Sequence, residues 1–146
     1  MADLRAEQIV AAVLTTLQGT VTAGANTVRG QLYPSYDAQL PGIALYMGAD
    51  EVIEEYNQAF FDWELNLKFQ IRVETGTNLE QTISTIRKEI HAAIMANPTF
   101  GLVFVHDTTP GFASEPELNG DGETPVGIQD LLYKVIYRTS RNDLSA

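Results

Sequence analysis

The run Phe61-Asp62-Trp63-Glu64-Leu65-Asn66-Leu67-Lys68-Phe69-Gln70-Ile71-Arg72-Val73-Glu74 decides the fold class. Every odd-numbered residue in it is apolar and every even-numbered one is polar. Successive side chains of an extended strand point to opposite faces, so the run is a β-strand with one dry face and one wet face. A strand buried on both sides, as in a parallel sheet, would be apolar throughout. This one belongs to an antiparallel or mixed sheet covered on one side. At about 3.3 Å per residue the run reaches roughly 45 Å, whereas most strands end within about 10 residues. Such a strand outruns the core of a small domain, and its ends are expected to pair with, or pack on, something beyond the compact body. The wet face mixes both charge signs and carries no set of groups that does chemistry.

Working outward, Asp3 is the expected N-cap of a first helix, in which Ala6, Ile9, Val10, Val13, Leu14 and Leu17 recur at helical spacing and which Gly19 ends. A strand is expected over Val28 to Tyr33, closed by Pro34. Leu40-Pro41-Gly42 turns the chain into a short buried strand, Ile43 to Met47. Gly48 to Asn57 is acidic and reads as an exposed loop or a short helical turn. The long strand covers Phe60 to Thr75. Thr77-Asn78-Leu79-Glu80 matches a capping box. Leu79, Ile83, Ile86, Ile90 and Ile94 then stripe a second helix over 78–96, which Asn97-Pro98 stops. Leu102 to Val105 is a fourth strand, and Ile128 to Thr139 the last. Asp107 to Val126, rich in Pro, Gly and acids, reads as a long mobile loop or hairpin. Residues 140–146 read as a loose tail. The order α-β-β-β-α-β-β, with two striped helices, predicts an α+β two-layer sandwich. It has a mostly antiparallel sheet of about five strands, with both helices on one face. The expectation is one domain over 1–146, with mobile loops near 48–57 and 107–126.

The chain of 146 residues has a formal net charge of −10 and no cysteine. A disulfide framework and thiolate chemistry are therefore excluded. An acidic surface repels phosphate backbones, so a surface that grips DNA or RNA is not expected, although DNA can pass beside such a protein without being held. No basic region followed by an apolar run marks a signal peptide, and no stretch of about 18 apolar residues marks a membrane span.

Catalytic patterns are missing. His91 and His106 stand in no metal-binding spacing, no serine lies in a Gly-x-Ser-x-Gly elbow, and no phosphate-binding glycine loop occurs. Asp50, Glu51, Glu54 and Glu55, and separately Asp121 with Glu123, offer oxygens of the kind a weakly held divalent cation takes. Neither set has EF-hand spacing, and the plainer reading is solvated acidic loops with no cofactor. Phe60, Phe61 and Trp63 read as anchors of a core or of an interface.

Val28-Arg29-Gly30-Gln31-Leu32-Tyr33-Pro34-Ser35, followed by Leu40-Pro41-Gly42-Ile43-Ala44-Leu45-Tyr46, resembles the tail terminator proteins of long-tailed phages. Within them the resemblance is to the minor tail protein U group of lambda-like phages. It extends through the alternating strand, the second helix, the acidic loop Ser114-Glu115-Pro116-Glu117 and the closing strand Leu132 to Arg138. The resemblance implies a non-enzymatic assembly protein, a homo-hexameric ring on the head-proximal end of the tail tube. Such a ring stops tube polymerisation and provides the head-joining surface. Its implied partners are itself, the tail-tube protein and a head-completion or neck protein, with no membrane. Its implied place is the neck of the virion tail, after assembly in the host cytoplasm. The residues assigned to subunit or partner contacts are Phe61, Trp63, Asp50, Glu51, Glu54, Glu55, Glu115 and Glu117. Two alternatives stand beside this reading: another neck or head–tail connector protein, and a small α+β enzyme or ligand-binding dimer built on His106 with Asp107 or on the Trp63 wall.

Overall fold

A computed structural model describes residues 3–20, 22–30, 41–56, 59–74, 78–119 and 126–146. Two helices, α1 (Arg5–Gln18) and α2 (Leu79–Ala96), accompany six strands: β1 (Thr27–Arg29), β2 (Gly42–Tyr56), β3 (Phe60–Glu74), β4 (Val105–Ala113), β5 (Glu117–Asn119) and β6 (Val126–Ser140). The sheet runs β1-β2-β3-β6-β4, with β5 also on β6. Among the described residues only β1 on β2 is parallel; the other pairings are antiparallel. The α+β class and the element order agree with the sequence, and the sheet gains a sixth short strand.

The alternation in β3 does what it predicts. Leu65, Leu67, Phe69, Ile71 and Val73 are at most 1% exposed. Across β6 they meet Val135, Tyr133, Leu131, Gln129 and Gly127, and across β2 Phe69 and Ile71 meet Leu45 and Ile43. Ile9, Val10, Val13 and Leu17 of α1 and Ile83, Ile86, Ile90 and Ile94 of α2 close over this face to make one core. Gly127 fixes how closely α2 lies on β6: a Cβ there would sit 2.7 Å from Ile83 Cδ1 and 3.0 Å from Leu79 Cγ.

Several boundaries differ from the sequence reading, each for a physical reason. Residues 48–56 are not a loop or helical turn: β2 continues to Tyr56. Register shifts between Met47 and Asp50 and between Val52 and Glu54 interrupt its alternation. A bulge moves later side chains to the other face, so the period-2 signal disappears although pairing continues. The fourth strand begins where it was expected to end, because 102–104 turn and β4 runs on to Ala113 through Pro110 and Gly111. Pro is tolerated there because β4 is an edge. Part of the 107–126 segment is thus strand, and residues 120–125 lie outside the described residues. So do 31–40, which carry the end of the expected Val28–Tyr33 strand.

Helix α1 is capped by Leu4 rather than Asp3, with no side-chain cap bond. Its first N–H, of Arg5, instead donates to the Leu144 carbonyl at 2.9 Å. The segment 140–146 is therefore not a loose tail. Ser140 N–H donates to the Ala146 carbonyl at 2.5 Å, and Asp143 accepts from the Ser145 N–H and hydroxyl at 2.9 and 2.6 Å. The cap of α2 is Asn78 at φ 54°, ψ 37°, not Thr77, which lies outside the described residues. Asn enters the left-handed region more readily than most residues, and this turns the chain abruptly into the helix.

Candidate assembly surfaces

Strands β2, β3 and β6 are each 15 residues long, and β3 pairs with both of the others along its length. The end of the sheet where Phe60 to Trp63 pair with Ser140 to Tyr137 carries the aromatic residues singled out from the sequence. Phe61 and Trp63 are half-buried and meet edge to face, centroids 6.3 Å apart. The Trp63 indole N–H donates to Thr139 Oγ1 at 2.9 Å, and the Arg141 guanidinium lies 5.1 Å from the centre of the Phe61 ring. Both rings thus have partners within the chain, sealing the end of the core. The more exposed apolar groups nearby are Val52, Ile53 and Phe60, each 43% exposed, which the sequence reading placed in a loop or grouped with the core anchors. Leu4, Leu144 and the fully exposed Val103 are exposed as well, and the Arg138 N–H, at this end of β6, donates to the Phe104 carbonyl at 2.9 Å. Arg5 links these elements, donating to the Arg138 carbonyl at 2.6 Å and lying 4.5 Å from the centre of the Phe104 ring.

The open sheet face is polar and cross-linked. Asp62 is 5% exposed there. It accepts from Arg138 Nε at 2.9 Å and lies 3.3 Å from His106 Nε2, pinning β3 to β6 and β4. Burial alone would raise its carboxyl, but the bonds and charges of Arg138 and His106 outweigh that and hold it below the usual carboxylate range. The sequence hid this group, because an acid on the wet face of an alternating strand reads as solvated. Further along, Lys134 pairs with Glu64 at 3.4 Å and Lys68 with Asp130 at 3.6 Å. Arg72 donates to Gln70 at 2.7 Å and to the Tyr46 hydroxyl at 3.1 Å.

The acidic set is spread by the strand rather than gathered. The bulge puts Asp50 opposite Leu65 on the covered-face side, and Glu51 and Glu54 opposite Glu64 and Asp62 on the open side. The side chain of Glu55, like Asp121 and Glu123, is outside what is described. Among the described residues no group of three or more His, Asp or Glu is placed to hold a metal ion. Asp50 accepts from the buried Tyr137 hydroxyl at 2.5 Å. Desolvation raises the Asp50 carboxyl, only partly offset by that bond. Desolvation, the bond and the Asp50 charge together raise the Tyr137 hydroxyl well above its ordinary value. Glu115 and Glu117 are exposed but sit apart from this set, because β5 pairs with Gly127 and Ile128 at the opposite end of β6. His106 faces Asp62, not Asp107, whose Oδ1 accepts from the Thr108 N–H at 2.8 Å. Among the described residues no helix is long and apolar enough to cross a membrane.

The architecture is thus a two-layer α+β domain with one covered and one open sheet face. It is similar to that of a chain in the virion of a native gene transfer agent particle, with a TM-score of 0.50 and 11% sequence identity over 90% of this chain and 95% of that one. At that identity the likeness is one of fold. No family model matches the sequence, and no curated protein matches it.

Proposed function

We propose that this protein is a virion assembly component, a non-enzymatic subunit that closes into a ring on the head-proximal end of a tail tube. There it stops tube growth and offers the surface to which a head is joined. The observation that carries the reading is the end of the sheet where β2, β3 and β6 pair at Val52 to Tyr56, Phe60 to Trp63 and Tyr137 to Ser140. There Val52, Ile53 and Phe60 are each 43% exposed. We read these exposed apolar side chains as part of an interaction surface. The fold likeness to a virion chain over nearly the full length of both supports the same setting. His106, Asp62 and Arg138 form an ion-paired pin between strands rather than an acid–base pair aimed at a cleft, which weighs against a catalytic role.

Head-to-tail contacts between copies close into a ring when the rotation between them permits. Native mass and electron microscopy of the protein mixed with tail-tube protein test the reading. Six copies in the native mass and a ring at one end of tubes of bounded length are the expected result. A monomer or dimer that leaves tube length unchanged and is absent from tube ends overturns it.

A further inference from the structure

Arg87 and Lys88 stand out in a chain of formal charge −10. The other seven Lys and Arg side chains are engaged. Carboxylates hold Arg29, Lys68, Lys134 and Arg138. Gln70 and Tyr46 hold Arg72, the Arg138 carbonyl holds Arg5, and the Phe61 ring lies under Arg141. Among the described residues, Arg87 and Lys88 have no carboxylate partner. They share one exposed face of α2 with Ser84 and His91. Together with Pro110 of β4 and Tyr133 of β6 these side chains line a cleft of about 450 Å³. A second cleft, sharing Arg87, Pro110 and Tyr133, continues it along β4 to Phe112, which is 62% exposed. The result is a trough with cations at one end and an apolar side chain at the other, on the β4 edge of the sheet.

The opposite edge carries the complement. Strand β1 pairs with β2 only at Ile43–Leu45, so among the described residues no strand covers the outer edge of β2 beyond them. That edge presents exposed Glu51 and Glu54 beside exposed Val52 and Ile53, with no Lys or Arg between Gly42 and Tyr56. Resting on the ring reading above, we propose that the β2 edge of one copy docks into the α2–β4 trough of the next. Glu51 and Glu54 then meet Arg87 and Lys88, and Val52 and Ile53 meet Phe112. Complementary charge fixes the register of such a contact, and opposite edges of one sheet give the head-to-tail geometry a ring needs. The contact is made by side chains rather than by a continued sheet. Pro110 lacks an N–H, and register shifts at Asp107 and Phe112 break the outer row of β4.

The test exploits a chain without cysteine. Under mild oxidation the double variant E51C/K88C is expected to give a covalent ladder ending at the ring, whereas E51C alone and K88C alone stay uncrosslinked. In parallel, E51K/E54K and R87E/K88E should each raise the concentration for half-assembly at least tenfold, and the fourfold swap E51K/E54K/R87E/K88E should recover most of that loss. A wild-type ring whose assembly neither reversal changes, with no ladder from E51C/K88C, overturns this inference while leaving the ring. A wild-type chain that remains monomeric with and without tail-tube protein overturns both. If R87E/K88E forms rings normally but loses retention of double-stranded DNA seen with wild type, the trough is a phosphate surface and the proposal is wrong.

Discussion

At the scale of single residues, Asp62 and Asp50 are two carboxyls with opposite pH signatures. Asp62 is held below its ordinary value by Arg138 and His106 despite its burial. The stability it contributes is fully present above about pH 4, the unfolded value, and is lost as pH falls through the lower folded value. Asp50 is raised by desolvation. Its contribution is present below the unfolded value, and it becomes a cost as pH rises through the folded one. Thermal melts should separate them. At neutral pH, Asp62→Asn is expected to lose about 1–3 kcal/mol by weakening charge-assisted bonds, roughly 2–4 °C per kcal/mol for a chain of this size. The gap from wild type should close on acidification below about pH 4. Asp50→Asn keeps an acceptor for the Tyr137 hydroxyl and removes a desolvated charge, so its neutral melting point should equal or exceed that of wild type. A large loss in Asp50→Asn, or a Asp62→Asn gap that persists at pH 2, would contradict the assignment.

Among the elements, β2 is the one whose tertiary setting overrode its composition. Four acids between Asp50 and Glu55 lower its strand propensity, and the two bulges erase its alternation. It is a strand because β3 supplies a full ladder to Tyr56. Amide hydrogen exchange should show this as a two-residue periodicity. N–H groups of β2 that face β3 are expected to be protected along 42–56. Those on the outer edge beyond Leu45 should exchange quickly in the free chain and slow on assembly. Uniformly fast exchange across 48–56 would return the segment to a loop. The same reasoning applies to β4, where Pro110 and Gly111 speak locally for a turn and β6 imposes a strand.

For the whole molecule, charge acts at two ranges. In the proposed ring, six copies at −10 each would bring a formal −60, and such long-range repulsion is screened over about 8–10 Å at ordinary ionic strength. The proposed contact between copies sets Glu51 and Glu54 against Arg87 and Lys88, an attraction over a few ångströms. Near 1 M salt the screening length falls to about 3 Å and reaches such pairs where they are exposed. Ring population should therefore rise from low salt to about 0.15 M and fall again toward 1 M. Sedimentation across a sodium chloride series reads it. A monotonic rise would assign the contact to apolar burial alone. A magnesium series at matched ionic strength should trace the same curve, because β2 puts Asp50 on the other face from Glu51 and Glu54. Magnesium acting at far lower concentration would instead reveal converging carboxylates.

Local periodicity alone determined the layer structure. Isoleucines at helical spacing along α2 and fourteen alternating residues in β3 each name their own buried face, and two such helices beside a one-faced sheet admit a two-layer α+β answer. What the tertiary structure decided was everything that depends on a partner distant in sequence. It carried β2 nine residues past Met47 and β4 through a proline, because a neighbouring strand satisfies backbone groups whatever the local propensity. It buried Asp62 beside Arg138, 76 residues away, tied Leu144 to the start of α1, and set Arg87 and Lys88 of α2 beside Pro110 of β4, at the other side of the sheet from β2. A sequence pattern states which face of an element is dry. Which element lies against it, and which charges then meet, is settled only when register and topology bring remote residues within contact distance.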